Sequence, residues 1–218
     1  MSSTDQKSKD REQRRDAIVS SAIELIEVQG FETTTMDEIA EKADISKGAL
    51  YLYFRDKAAL HQSIKKKALQ LLYDKFQKIF HENISGAEVI KKMARTYLDF
   101  ILDNRIFNRA MMLFEQTNSD EIQGEDIAND CMSMENDMFM LMVRALQIGI
   151  QDKSIHTTLP PKILGLHIVF EMRGILQYLT SGQDSIISSL MEEQQTTIHD
   201  VLDQFIQAQF NDTASTVA

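Results

Sequence analysis

At 218 residues with 43% hydrophobic side chains, the chain is long enough to bury a sizeable core, as one large domain or as a small domain joined to a larger one. A net charge of −10 argues at first sight against nucleic acid, but residues 1–67 hold 12 basic and 12 acidic side chains, so all of the excess lies later and a neutral head remains compatible with DNA. No apolar run approaches the roughly 18 residues of a membrane span, the polar start MSSTDQKSKD cannot serve as a signal peptide, and the single Cys131 has no companion for a disulfide or a zinc site; the expectation is a cytoplasmic protein with no membrane association.

Eight glycines and two prolines are few, and the long stretches between them repeat apolar residues with a period near 3.6, which predicts an all-α fold of about nine helices. Residues 1–9 read as a disordered tail. Lys7, Lys9, Arg11, Arg14 and Arg15 precede the first core-facing residue and are either an arm that reaches phosphates or the minor groove, or a solvated helix start. A helix is predicted from Asp10 to Gln29, with Ile18, Ala22, Leu25 and Ile26 as its buried stripe and Gly30 as a left-handed residue ending it; Phe31 then plugs a three-helix core.

Two short helices follow within TMDEIAEKADISKGALYLYFRDK, residues 35–57. Ile39, Ala40 and Ala43 share one face of the first, Leu50 and Phe54 share one face of the second, and Asp44 and Ile45 turn the chain between them, which is a helix-turn-helix over about residues 35–54. Thr35 and Ser46 are good N-caps, and Asp37 and Glu38 suit a helix's first turn. At about 100° per residue counted from Lys47, Leu50 and Phe54 fall near 300° and 340°, Tyr53 near 240°, and Lys47, Gly48, Tyr51 and Leu52 spread over about 0° to 140°. The first arc is buried and the last is free. A free arc with a cation, a residue lacking a side chain and a tyrosine suits insertion into a major groove.

After Arg55 and Asp56 a single long helix begins at Lys57 and keeps one apolar face, from Leu60 through Phe76, to about His81. Lys65, Lys66 and Lys67 read as its solvated side. Five further helices are predicted, over residues 86–104, 105–116, 125–151, 160–180 and 184–210, with a polar loop at 117–124 and a frayed end at 212–218. Pro160 and Pro161 suit the start of the fourth of these. The last two carry more apolar surface than one small domain hides, so the surplus is expected to be buried against a second copy through Ile168, Ile175, Leu179, Ile187, Leu190, Ile198, Val201, Leu202 and Phe205.

The run T-x-x-x-I-A-x-x-A-x-I-S-x-G-x-L-Y-x-Y-F-x-x-K-x-x-L from Thr35 to Leu60 resembles the DNA-binding signature of the TetR family of transcriptional regulators, over about the first quarter of the chain. The resemblance implies a helix-turn-helix domain at residues 10–56 and a helical effector-binding and dimerisation domain at 57–211. It implies DNA contacts by Lys47, Gly48, Tyr51 and Tyr53, phosphate clamping by Thr35 and Lys57 at helix starts, and an intermolecular four-helix bundle of the last two helices. Ser46 and Ala49 join the expected contact set, Ala49 for a thymine methyl, and the amides beside Lys57 are expected to form an anion site. Met36 departs from the family pattern, which often has a hydroxyl there.

Five of the twelve methionines fall between Met132 and Met142. They are either the adaptable wall of a pocket for an apolar ligand or ordinary core. The pocket reading enlists Met93, Tyr97, Phe100, Met111, Phe114, Met134, Met138, Met142 and Phe170, with His167 and Glu171 as orienting polar groups. The five histidines are scattered, and neither a paired metal-ligand spacing nor a glycine-rich phosphate loop is present, so no catalytic residue, metal or cofactor is expected. The combined expectation is a homodimeric repressor that binds a pseudo-palindromic duplex operator and is released by a small apolar or amphipathic ligand. A DNA binder without a small-molecule effector is the alternative, and a small helical enzyme with a vestigial head would require converging polar groups that the sequence does not display.

Overall fold

The computed structural model describes residues 3–112, 125–180 and 185–210, and among them every regular element is a helix. In chain order these are α1 (Ser3–Gln29), α2 (Met36–Lys42), α3 (Lys47–Tyr51), α4 (Lys57–Phe80), α5 (Gly86–Asp103), α6 (Arg105–Met112), α7 (Glu125–Gln151), α8 (Pro161–Thr180), α9 (Ser185–Glu193) and α10 (Ile198–Phe210). None of the described helices is long and apolar enough to cross a membrane.

The chain divides into two compact units, residues 1–70 with 104–133 and residues 71–103 with 134–218. The boundary expected at Lys57 therefore falls inside the first unit, and α4 supplies residues to both. In the first unit Ile18, Ala22, Ile39, Leu50, Phe54 and Ile64 are essentially sealed from solvent, so α1 to α4 share one apolar centre. Gly30 at φ +85 closes α1, its N–H donating to the Ile26 carbonyl at 2.8 Å, as the sequence predicts. The second unit is centred on Leu98, Ile101, Leu146, Leu164, Leu176 and Phe210. Arg95 donates a hydrogen bond to Asp203 at 2.8 Å and His199 meets Asp99 at 2.6 Å, which joins α5 to α10 outside that core.

Three expectations about elements change. The helix predicted to begin at Asp10 begins at Ser3, so residues 3–9 are helical; Gln6 donating to Asp10 at 2.9 Å is the kind of i,i+4 pair that supports a helix with no apolar face. The single helix predicted over 184–210 is two. Gln195 takes a left-handed φ of +50, and Thr197 and Asp200 then cap α10 reciprocally, each side chain accepting from the other's backbone N–H at 2.9 and 3.2 Å. Lys65 to Lys67 are not a solvated side: Lys65 is 7% exposed, Lys66 pairs with Asp130 at 2.7 Å and Lys67 donates to Ser20 at 2.8 Å. Residues 113–124, which include the expected pocket residue Phe114 and the polar loop, lie outside the described residues, as does the side chain of Ile187.

Candidate nucleic-acid interface

The two short helices are fixed by hydrogen bonds local in sequence. Thr35 and Glu38 form a capping box, the Glu38 N–H donating to the Thr35 hydroxyl at 3.3 Å and the Thr35 N–H donating to the Glu38 carboxylate at 2.8 Å. The Thr35 N–H, and after it the Thr35 hydroxyl donating to the same carboxylate at 2.8 Å, hold the Glu38 carboxyl below its ordinary pKa. Asp44 at φ +53 reverses the chain, with the Ile45 N–H returning to the Ala40 carbonyl at 3.0 Å. The Ser46 hydroxyl then accepts from the Ala49 N–H at 3.2 Å and starts α3. From behind, α3 is held by Leu50 and Phe54, both fully buried, while the Arg15 guanidinium lies 4.8 Å from the centre of the Phe54 ring.

With that side pinned, the opposite arc faces solvent. Tyr51 is 43% exposed and Leu52 75%, Lys47 is exposed, and a Cβ placed on Gly48 would meet nothing within 4 Å. Lys47 is not idle in the free protein: it pairs with Asp37 at 2.8 Å, and that hydrogen bond raises its pKa. Both partners are well exposed, so the link is the kind that a phosphate readily displaces. Ala49 and Tyr53 are half-buried, which fits the position of Tyr53 between the buried and free arcs.

At the start of α4 the arrangement differs from expectation. The Asp56 carboxylate already occupies the amides that were to hold an anion, accepting from the Ala59 N–H at 2.8 Å; burial would raise this carboxyl, but the amide bonds and Arg55 outweigh it and keep it low. An Asp immediately before a helical run is the sequence signal for such a cap. Lys57 donates to the Glu32 carbonyl at 3.1 Å and lies 4.5 Å from the centre of the Phe31 ring, half-buried. Thr35 likewise spends its hydroxyl on capping.

The described residues of the expected pocket divide between the two units. Met93 and Phe100 are buried in the second unit, and Tyr97, Met134, Met138, Met142 and Glu171 are half-buried there, whereas Met111 belongs to the first unit. Met142 and Phe139 pack against α8 where Gly165 leaves room, within 3.3 Å of the place its Cβ would take. Phe170 is 63% exposed and His167 is exposed, so neither lines an interior; a helix apolar nearly all round gave no indication of which side would pack. Glu171 accepts from Gln209 at 2.7 Å, its carboxyl raised by burial.

The dimer-face expectation is also redistributed. Ile168 and Leu202 are buried in the second unit's own core, and Ile175, Leu179, Ile198 and Val201 are half-buried, while Leu190 and Phe205 are exposed as expected. The apolar side chains that α8 presents to solvent are instead Ile163, Leu166 and Phe170.

Comparison with known proteins bears on the first unit most directly. Residues 18–64 match the model of bacterial regulatory proteins of the tetR family. The chain is 33% identical over 98 residues to an uncharacterized HTH-type transcriptional regulator, YerO, of Bacillus subtilis, a match covering 44% of this chain and 34% of that protein. The matches span about a third to about half the length of these curated relatives. Among solved structures, the transcriptional regulator FadR of Bacillus subtilis in complex with stearoyl-CoA superposes with TM-score 0.65 at 15% identity, covering 89% of this chain and 97% of that one. RolR in complex with resorcinol gives TM-score 0.63 at 19% identity, covering 95% and 92%. At those identities the likeness is one of fold.

Proposed function

We propose that the chain, whose residues 18–64 match the tetR family model, is a TetR-type transcriptional regulator, a cytoplasmic repressor which grips a pseudo-palindromic operator as a homodimer and is released by a mainly apolar small molecule. The observation that carries this reading is the outward arc of Lys47, Gly48, Tyr51 and Leu52 on a helix whose other side is locked by Leu50 and Phe54. In the groove, Tyr51 and Ala49 address base edges, Lys47 exchanges Asp37 for a phosphate, and Gly48 lets the backbone come close. Ser46, Thr35 and Lys57 act from their capping and ring-stacked positions by holding the recognition helix and, for Lys57, by facing the backbone with its cation.

One such helix reads a single half-site, so two copies are needed for affinity and specificity, about 34–36 Å apart along the duplex. The exposed apolar side chains Ile163, Leu166 and Phe170 on α8, with Leu190 and Phe205, support a twofold pairing through the second unit. For the effector, Met93 and Phe100 with the half-buried methionines of α7 offer an adaptable apolar wall, and the fold neighbours solved with stearoyl-CoA and resorcinol make an apolar or aromatic ligand the natural class. Because α4 contributes residues to both units, a ligand that shifts its distal half acts on the DNA-binding unit through one continuous rod, with a coupling of about 1–3 kcal/mol. Nothing in this scheme calls for catalysis.

The test is Tyr51→Ala. In a gel-shift assay with a duplex enriched by the full-length protein from a random pool, operator binding should be lost while sedimentation shows the same oligomer as the wild type. Unchanged affinity rejects the assignment of the reading face.

A further inference from the structure

The N-terminal half of α1 buries nothing. From Asp5 to Ala17 its described side chains are exposed apart from the half-buried Arg15, and Ile18 is the first to enter the core. A segment of this kind normally frays, yet it continues as helix to Ser3. Its charges are sorted. At about 100° per residue counted from Lys7, Arg11 falls near 40°, Arg14 near 340° and Arg15 near 80°, while Asp5, Glu12 and Asp16 gather near 140° to 180° on the opposite side. Lys9, near 200°, lies on the acidic side, and Asp10, near 300°, is engaged by Gln6.

The basic side has a fixed direction. Arg14 donates to the carbonyl of Asp44, the residue that turns the chain into α3, at 3.5 Å, and Arg15 donates to Ser63 at 2.9 Å beside the Phe54 ring. The stripe thus starts on the helix-turn-helix itself. It runs outward through Arg11 to Lys7, about 10 Å farther along the helix axis at 1.5 Å per residue. Among the described residues no hydrogen bond or ion pair engages Lys7 or Arg11, and both residues are exposed.

We propose that this helical extension is a second DNA-contacting surface, with Lys7 and Arg11 binding backbone phosphates that flank the half-site read by α3. It rests on the DNA-binding reading above and adds the partner surface to it. A rigid helix serves this purpose better than a flexible tail, because the cations are held in register and less conformational entropy is lost when they meet the duplex. The acidic side faces away from the DNA and keeps the segment from sticking to it in other orientations.

Salt dependence separates this contact from base reading. Each phosphate contact adds about 0.9 to the slope of log affinity against log salt, so losing Lys7 and Arg11 from both protomers should lower the slope by about 2 to 4 while the preferred sequence is unchanged. The experiment measures full-length protein on the enriched duplex, once with long flanks and once trimmed to the two half-sites. The double variant Lys7→Gln/Arg11→Gln should weaken binding at least tenfold on the long duplex and show little difference from wild type on the trimmed one. Lys9→Gln, on the other side of the same helix, should leave both unchanged. An unaltered slope for the double variant overturns the proposal, as does an equal loss with Lys9→Gln, which would mean net charge alone; in either case Tyr51→Ala reports independently on whether α3 reads DNA.

Discussion

Gly86 opens α5 at a point where two backbones nearly touch. A Cβ on it would lie 2.1 Å from the Gly149 nitrogen, 2.4 Å from the Gly149 Cα and 2.6 Å from the Ala145 carbonyl oxygen, where ordinary contact is 3.4–4 Å. All three atoms are backbone of α7, so no rotamer change relieves the overlap and α5 must retreat by about 1 Å or more. Retreat also pulls the Gly86 N–H from Asp152, 2.8 Å away, and the Ala87 N–H from Ser154, 3.1 Å away, which together satisfy the start of the helix. Overpacking of this kind costs about 1–3 kcal/mol, and the rigidity of the contacts puts Gly86→Ala at the upper end, about 2–3 kcal/mol. With a urea slope of about 2 kcal/mol per M, the midpoint of the second unit should fall by about 1–1.5 M. The chain has no tryptophan, so circular dichroism at the helix band is the readout. Two other glycines calibrate it. Gly149→Ala meets mainly the Ile155 side chain, which can turn aside, and should cost about 1 kcal/mol. Gly174→Ala meets nothing within 4 Å in mid-helix and should stabilise by about 0.5–1 kcal/mol. A Gly86→Ala protein as stable as Gly174→Ala refutes the close approach of α5 and α7, and with it the wall that Met93 and Phe100 are assigned to.

Two further outcomes follow from buried and exposed groups. His61 is 8% exposed, edge-on to Phe31 at 4.9 Å with no hydrogen-bond partner for Nε2 among the described residues, and burial, aided by Lys65 and Arg109 and opposed by Glu32, pushes its pKa down from 6.5 to about 4. Because the folded value lies below the unfolded one, the unfolded chain takes up the proton first: stability is full above about pH 6.5, falls as pH drops, and levels off below about 4, a loss of about 3 kcal/mol. Denaturant titrations of wild type and His61→Gln across that window should converge toward acid, and parallel curves would refute the assignment. Phe170→Asp should split the proposed dimer: burying this ring is worth about 2 kcal/mol per protomer, hence about a thousandfold in the dissociation constant of a twofold pair. Sedimentation equilibrium measures it, and an unaffected dimer would move the interface elsewhere.

What the sequence showed and what it hid divide along a physical line. The caps of α2 and α3 were legible because Thr35 and Ser46 act on residues three positions away, so identity and spacing suffice. The break before α10 used the same device, Thr197 with Asp200, but the apolar period runs on from Leu190 and Met191 to Ile198 and Val201 and made two helices look like one. Lys65 to Lys67 differ for another reason: three consecutive lysines suggest solvent, but Lys66 meets Asp130 of α7 and Lys67 meets Ser20 of α1, partners far along the chain that no local pattern encodes. On α8, Ile168 and Phe170 are two residues apart on a helix apolar around most of its girth, and one is sealed in the core while the other stands out in water. Periodicity assigns a helix its inner face only when the other face is polar. Where both are apolar, the second face is information about another molecule, and on the proposed reading the exposed Lys47 and Tyr51 of α3 are the same case in polar form, left in solvent because the surface they would fit is the groove of a duplex.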